Sequence, residues 1–160
     1  MLGSEEFFDE EYQSVTRALT LAFGDRRLAE DAAQEGFSRA LDRWARVRRM
    51  DRPSGWVYVA AFRYGRRQQR RGTPAPEEII RGGSKDDTAA LLNRLLVFDL
   101  LDSLTARQRS AVVLRYLADL SLEQVAEALG CRVGTVKATL HQSLEQLRRA
   151  GERDENSASL

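Results

Sequence analysis

The stretch from Gly72 to Asp87 divides this chain, and that division limits what the rest can become. It gathers Pro74, Pro76, Gly82, Gly83 and Ser84 and is poor in aromatics, so it cannot bury enough surface to offset the entropy of ordering it. Its sixteen residues, fully extended, reach roughly 50 Å at about 3.3 Å each, so the parts on either side need not touch. Two small units are expected, over 1–71 and 91–150, joined by a flexible linker over 72–90 and followed by a frayed polar tail over 151–160. Units of about 70 residues lie near the lower size limit for an independent core, so each should be only marginally stable.

Within both units the apolar residues recur at steps of three and four, and no alternating strand pattern occurs, so the expected fold class is all-α. Phe8, Tyr12, Val15, Leu19 and Ala22 form one such stripe, stopped by Gly24. Asp25 can cap a second helix whose apolar face is Ala33, Phe37, Ala40, Leu41 and Trp44 and which should end near Val47. Pro53 suits the first turn of a third helix, continued by Trp56, Val59, Ala60 and Arg63, and trailing into Arg66, Arg67, Arg70 and Arg71 where the helix dipole favours cations.

Past the linker, Leu91, Leu92, Leu95, Leu96, Leu100 and Leu101 suit a short helix surrounded by partners. Two capping boxes follow, Thr105 with Gln108 and Ser121 with Gln124. The first starts a helix containing Val112, Val113, Tyr116 and Leu117. The second starts a short helix over Leu122 to Leu129 that stops at Gly130. After a turn through Cys131 and Arg132, a longer helix runs from about Gly134 to Arg149 with Val136, Leu140, Leu144 and Leu147 inward. A short helix, a Gly-containing turn and a longer helix make a helix-turn-helix, whose second member can lie in the DNA major groove. That helix would point Arg132, Thr135, Lys137, Ala138, Thr139, His141 and Gln142 outward, and a phosphate could sit at the amide-rich N-terminus of the short helix near Ser121.

The net charge of +1 conceals a segregation. Residues 1–35 carry three basic and nine acidic side chains, whereas residues 36–71 carry eleven basic and two acidic. A basic block beside an acidic one points to a polyanion on one surface and a protein on another. With 42% hydrophobic and 31% charged residues the chain reads as a soluble globular protein. Its longest apolar run, Val57 to Phe62, is far short of the roughly 20 residues of a membrane helix. The acidic start (Glu5, Glu6, Asp9, Glu10, Glu11) is unlike a signal peptide, so a cytoplasmic location without membrane insertion is expected. One cysteine, Cys131, and one histidine, His141, allow neither an internal disulfide nor a Cys/His zinc cluster, and no cofactor is expected.

The segments Leu104-Thr-Ala-Arg-Gln-Arg109, Leu114-Arg-Tyr116, Ser121-Leu-Glu-Gln-Val-Ala-Glu-Ala-Leu-Gly130 and Val133-Gly-Thr-Val-Lys137 resemble the −35-reading domain of extracytoplasmic-function sigma factors of the sigma-70 family. The first unit is similar to the same family through Gly24-Asp25, Ala29-Glu-Asp31, Gln34-Glu35, Phe37, Arg39-Ala40 and Trp44, then Pro53, Trp56 and Tyr58. The resemblance covers roughly residues 5–71 and 91–149. It implies a non-enzymatic factor that binds core RNA polymerase and directs promoter-specific initiation under restraint by an anti-sigma protein. By the same resemblance, the second helix would dock on the polymerase clamp through Asp31, Gln34, Glu35 and Arg39. Arg46, Arg48, Arg49, Arg52 and Arg63 would track the opened −10 strand, with Trp56, Tyr58 or Tyr64 offering aromatic surface for unstacked bases. The linker, with Glu77, Glu78, Asp86 and Asp87, would thread channels of the polymerase.

Two departures from the family pattern bear on DNA reading. Ala138, Thr139, Gln142, Ser143 and Glu145 stand where arginines usually follow Val-Lys, and Phe62 and Arg63 stand where an arginine and an asparagine are common. An alternative therefore stays open, a sigma-like adaptor without autonomous promoter recognition, held by a partner protein. A metal hydrolase built on Asp31 and Glu35 is the rival from another class, but it lacks a second histidine, a phosphate loop and a nucleophile elbow. Cys131 sits at an apolar position of a tight turn, where packing is expected over thiol chemistry.

Overall fold

A computed structural model describes residues 3–72 and 97–158 of the chain, and the expectations for the linker and for Leu91 to Leu96 lie outside the described residues. Among the described residues every regular element is a helix. The first unit contains α1 (Ser4–Phe23), α2 (Arg26–Asp42), α3 (Trp44–Val47) and α4 (Pro53–Arg71). The second contains α5 (97–102), α6 (Ala106–Val112) running into a π-helical turn (Val113–Leu117), α7 (Leu122–Leu129) and α8 (Val133–Ala158).

The helix boundaries follow from local chemistry. Glu5 and Glu6 in the first turn of α1 suit the positive end of the helix dipole. Gly24 ends the helix, its N–H donating to the Thr20 carbonyl at 2.9 Å. The Asp25 carboxylate then accepts from the Leu28 N–H at 3.2 Å and starts α2. Pro53 occupies the first turn of α4 as its missing N–H predicts. Both capping boxes form, with Thr105 against Gln108 and Ser121 against Gln124, each donating and accepting reciprocally between 2.9 and 3.2 Å.

Several stripes are rotated from expectation, because the partner helix rather than the period decides which side is covered. In α1 Phe7, not Phe8, enters the core; its ring lies 5.1 Å from Trp44 and 5.7 Å from Phe37. Phe8 stays 40% exposed on the rim, stacked on Tyr12. The second helix does not reach Val47 unbroken. It stops at Arg43, whose backbone leaves the helical region, and the chain restarts as α3, turning Trp44 under Phe7 and leaving Leu41 60% exposed.

Helix α4 buries Val57, Tyr58, Ala61 and Phe62 against α1 and α2, with Phe62 stacked on Phe23 at 5.2 Å. Gly36 allows α2 to lie close on α4, since a Cβ there would sit 2.8 Å from the Ala61 Cβ and 3.0 Å from the Val57 carbonyl oxygen. Of the sequence-derived stripe of Trp56, Val59, Ala60 and Arg63, Val59 is buried, Trp56 and Ala60 are half-buried and Arg63 is exposed, and all four line the cleft toward α7.

In the second unit the helix expected through Leu117 changes winding at Val113, so that Ala118 N–H bonds the Val113 carbonyl and Tyr116 and Leu117 turn outward. In α8 the inward positions are Val136, Leu140 and Ser143, steps of four and three, and Leu144 is exposed instead. Ser143 satisfies its buried hydroxyl by donating to the Thr139 carbonyl at 2.6 Å. The tail expected to fray continues as helix to Ala158, supported by Arg148 ion pairs to Glu145 and Glu152 at 2.6 and 2.9 Å.

The two units, which the linker length leaves free to separate, are packed together. Helix α4 lies on α7, α1 lies on α6 and the π turn, and the buried side chains of both units form one continuous apolar cluster.

Candidate nucleic-acid interface

The helix-turn-helix is built by the cap at Ser121, the core residues Val125, Ala126 and Leu129, and the left-handed Gly130 at φ 68°. A side chain at Gly130 would be strained there. The Cys131 N–H returns to the Ala126 carbonyl at 3.0 Å and the Val136 N–H to the Arg132 carbonyl at 3.1 Å, which fixes the angle at which α8 leaves. Arg132, Thr135, Lys137, Ala138, His141 and Gln142 are exposed and Thr139 is half-buried. Ser121 is exposed as well, but it lies beside α4 in the cleft between the two units rather than on the α8 face.

The expected strand-tracking cations divide into two groups. Arg46, Arg48 and Arg49 are exposed on and just after α3. Arg52 and Arg63 instead line a cleft of about 730 Å³ between α4 and α7, together with Arg39, Arg43, Arg67 and Trp56. Arg52 donates to the Asp119 and Ala118 carbonyls, the latter at 3.3 Å, and its guanidinium lies 3.5 Å from the Asp119 carboxylate. Arg63 lies 3.9 Å from Glu127. Trp56 is half-buried at the cleft wall. Tyr58 is withdrawn from base stacking: its ring is only 4% exposed, packed in the core because it falls on the same side of α4 as Val57 and Phe62. Burial, and then the Glu11 carboxylate, push its phenol up to about 12, with Arg52 opposing.

Arg66, in the basic run of α4, makes a contact that the local pattern does not signal. It donates to the Leu129 carbonyl, at the C-terminal end of α7. Burial, then Arg70 and Arg107, push its pKa down.

On α2, Asp31 and Gln34 are exposed and Glu35 and Arg39 half-buried. Arg39 donates to Glu35 at 3.0 Å and sits 5.8 Å from the Tyr64 ring, and the Tyr64 hydroxyl donates to Asp31 at 3.2 Å. Desolvation, then the Asp31 hydrogen bond, raise the Tyr64 phenol. Next to this face is a groove of about 500 Å³ lined by Phe8, Gln34, Phe37, Leu41 and Trp44. The sequence carried its signal in Phe8 and Leu41, both assigned to the core by period alone.

Residues 94–147 match the family described as sigma-70, region 4. The chain is 32% identical over 153 residues to the RNA polymerase sigma-E factor of Streptomyces avermitilis, covering 92% of this chain and 84% of that protein. It is 30% identical over 149 residues to the ECF RNA polymerase sigma factor SigL of Mycobacterium tuberculosis, covering 88% and 84% respectively. Its fold is that of the sigma factor RpoE solved in complex with the anti-sigma factor NepR from Bartonella quintana, with a TM-score of 0.57 at 19% identity, over 91% of this chain and 96% of that one. On these relatives the chain belongs to the extracytoplasmic-function sigma factors of the sigma-70 family.

Proposed function

We propose that the chain docks on core RNA polymerase through the outer face of α2, holds the opened −10 strand on the cationic surface of α3 and α4, and reads −35 duplex with α8. The observation that carries this is the α8 face, where Arg132, Thr135, Lys137, Ala138, His141 and Gln142 are exposed together on the second helix of a helix-turn-helix. Arg132 and Lys137 supply phosphate contacts, and His141 and Gln142 can reach base edges. Arg46, Arg48 and Arg49 track the single strand, joined by Arg52 and Arg63 once these are released from the second unit. Docking rests on Asp31, Gln34 and Glu35, with Arg39 held against Glu35.

In this reading the chain has no catalytic chemistry and no cofactor, works in the cytoplasm, and is restrained by an anti-sigma protein. The test is run-off transcription with purified core polymerase and genomic fragments, comparing the intact chain with the Asp31→Lys/Glu35→Lys variant. Specific transcripts that vanish in the variant are expected. Stable core binding without transcript would favour the adaptor, and absence of core binding would overturn the reading.

A further inference from the structure

The phosphate position expected at the start of α7 has no part in the promoter contacts above, because Ser121 opens into the cleft between α4 and α7 rather than onto the α8 face. What it meets there is cationic. Five arginines (Arg39, Arg43, Arg52, Arg63 and Arg67) line the cleft against two carboxylates, Asp51 and Glu127. Arg39 is held by Glu35 at 3.0 Å and Arg52 lies 3.5 Å from Asp119, whereas Arg63 has only a long 3.9 Å approach to Glu127. Arg43 and Arg67 are exposed, and among the described residues their guanidiniums have neither an acceptor nor an ion pair. The Ser121 wall adds to this excess, since it is the N-terminal, positive end of α7. The same lining carries apolar surface from Met50, Trp56, Val59 and Ala60.

We propose that this cleft binds a free nucleoside polyphosphate, with the phosphates on Arg43, Arg63, Arg67 and the start of α7, and the base against Trp56. Three features select this class of ligand. Guanidiniums gathered without matching carboxylates repel one another, and a polyphosphate satisfies several at once through charge-assisted, bidentate hydrogen bonds. The volume of about 730 Å³ lies in the range of small-molecule sites and exceeds what an inorganic phosphate would fill, leaving room for sugar and base. The apolar wall then suits a planar ring, since an aromatic side chain stacks on any base. The proposal goes beyond the promoter-binding reading and does not depend on it, because the two unpaired cations, Arg43 and Arg67, are not among the strand contacts assigned above. A ligand seated here touches both α4 and α7, so its binding adds to the stability of the folded chain.

The test titrates the full chain with ATP and GTP by calorimetry, with pyrophosphate and adenosine as part-ligands and the thermal unfolding midpoint as a second readout. Saturable binding is expected, tighter than that of either part alone, with a raised midpoint. Arg43→Ala/Arg67→Ala removes two exposed side chains that have no protein partner. It should weaken ATP binding about tenfold or more, as for loss of charge-assisted hydrogen bonds, and leave the midpoint of the free chain unchanged. Glu127→Gln distinguishes a ligand site from an architectural ion pair, because removing an anion from the lining should tighten ATP binding about threefold. Absence of ATP and GTP binding, equal binding by the double variant, weaker binding by Glu127→Gln, or pyrophosphate as tight as ATP would overturn the proposal. A single-stranded oligonucleotide whose binding depends on Arg43 and Arg67, without binding of ATP or GTP, would give the cleft to the promoter strand and overturn it equally.

Discussion

The Tyr64 hydroxyl on α4 donates to the Asp31 carboxylate on α2 at 3.2 Å, joining the helix assigned to the promoter strand to the helix assigned to polymerase docking. Asp31 thus has an internal partner as well as an exposed position, and the two roles are separable. Tyr64→Phe removes only the internal bond. We expect it to cost no more than about 1 kcal/mol in urea unfolding, the range for an exposed hydrogen bond, and to leave run-off transcription intact. A loss of transcription comparable to that of Asp31→Lys would assign Asp31 to internal architecture instead.

The phenol of Tyr58 gives an alkaline limit to stability. Its pKa is raised to about 12 in the folded chain against 10.0 for a solvated phenol, chiefly by burial. The protonated form is therefore favoured by folding. Its contribution is fully present below pH 10 and is lost as pH rises from 10 through 12, amounting to roughly 2–3 kcal/mol. Denaturant midpoints measured across that range should fall, and Tyr58→Phe should flatten the decline.

Gly36 sets the separation of α2 and α4. A methyl group placed there meets the Ala61 Cβ at 2.8 Å and the Val57 carbonyl at 3.0 Å, neither of which is the end of a flexible chain. Gly36→Ala should destabilise the first unit by about 1–3 kcal/mol through overpacking, despite the better helix propensity of alanine. A rise in the urea midpoint would contradict this packing.

Lys137 is exposed on the α8 face and is assigned to a phosphate. Lys137→Ala should weaken binding of the full chain to promoter duplex nearly equally across sequences and reduce the salt slope by about one. Gln142→Ala, in contrast, should relax preference at one base pair with an unchanged slope. Identical slopes for the native chain and Lys137→Ala would remove Lys137 from the interface.

Thr105 caps α6 through a side-chain acceptor for the Gln108 N–H at 3.2 Å. Thr105→Ala should lower stability by about 1 kcal/mol. The loss would be read as a lower unfolding midpoint with an unchanged denaturant slope.

The sequence by itself determined where most helices begin and which family they compose. Asp25, Pro53, Thr105 with Gln108, Ser121 with Gln124, and Gly130 act through bonds or dihedrals within a few residues, so they can be read without knowing any tertiary contact. The exposed face of α8 was legible for the same reason, because the helical period alone separates Val136 and Leu140 from Lys137 and His141. Tertiary structure decided which side of a broad apolar stripe is covered. Phe7 is buried and Phe8 is not because Trp44 and Phe37 approach from one direction, and Tyr58 is core because α1 and α2 lie on that flank of α4. The break at Arg43 and the π turn at Val113 likewise have no counterpart in the apolar period. The pairing of Arg52, Arg63 and Arg66 with the second unit joins positions more than sixty residues apart, so it depends on how two surfaces meet and had no signal in the local pattern.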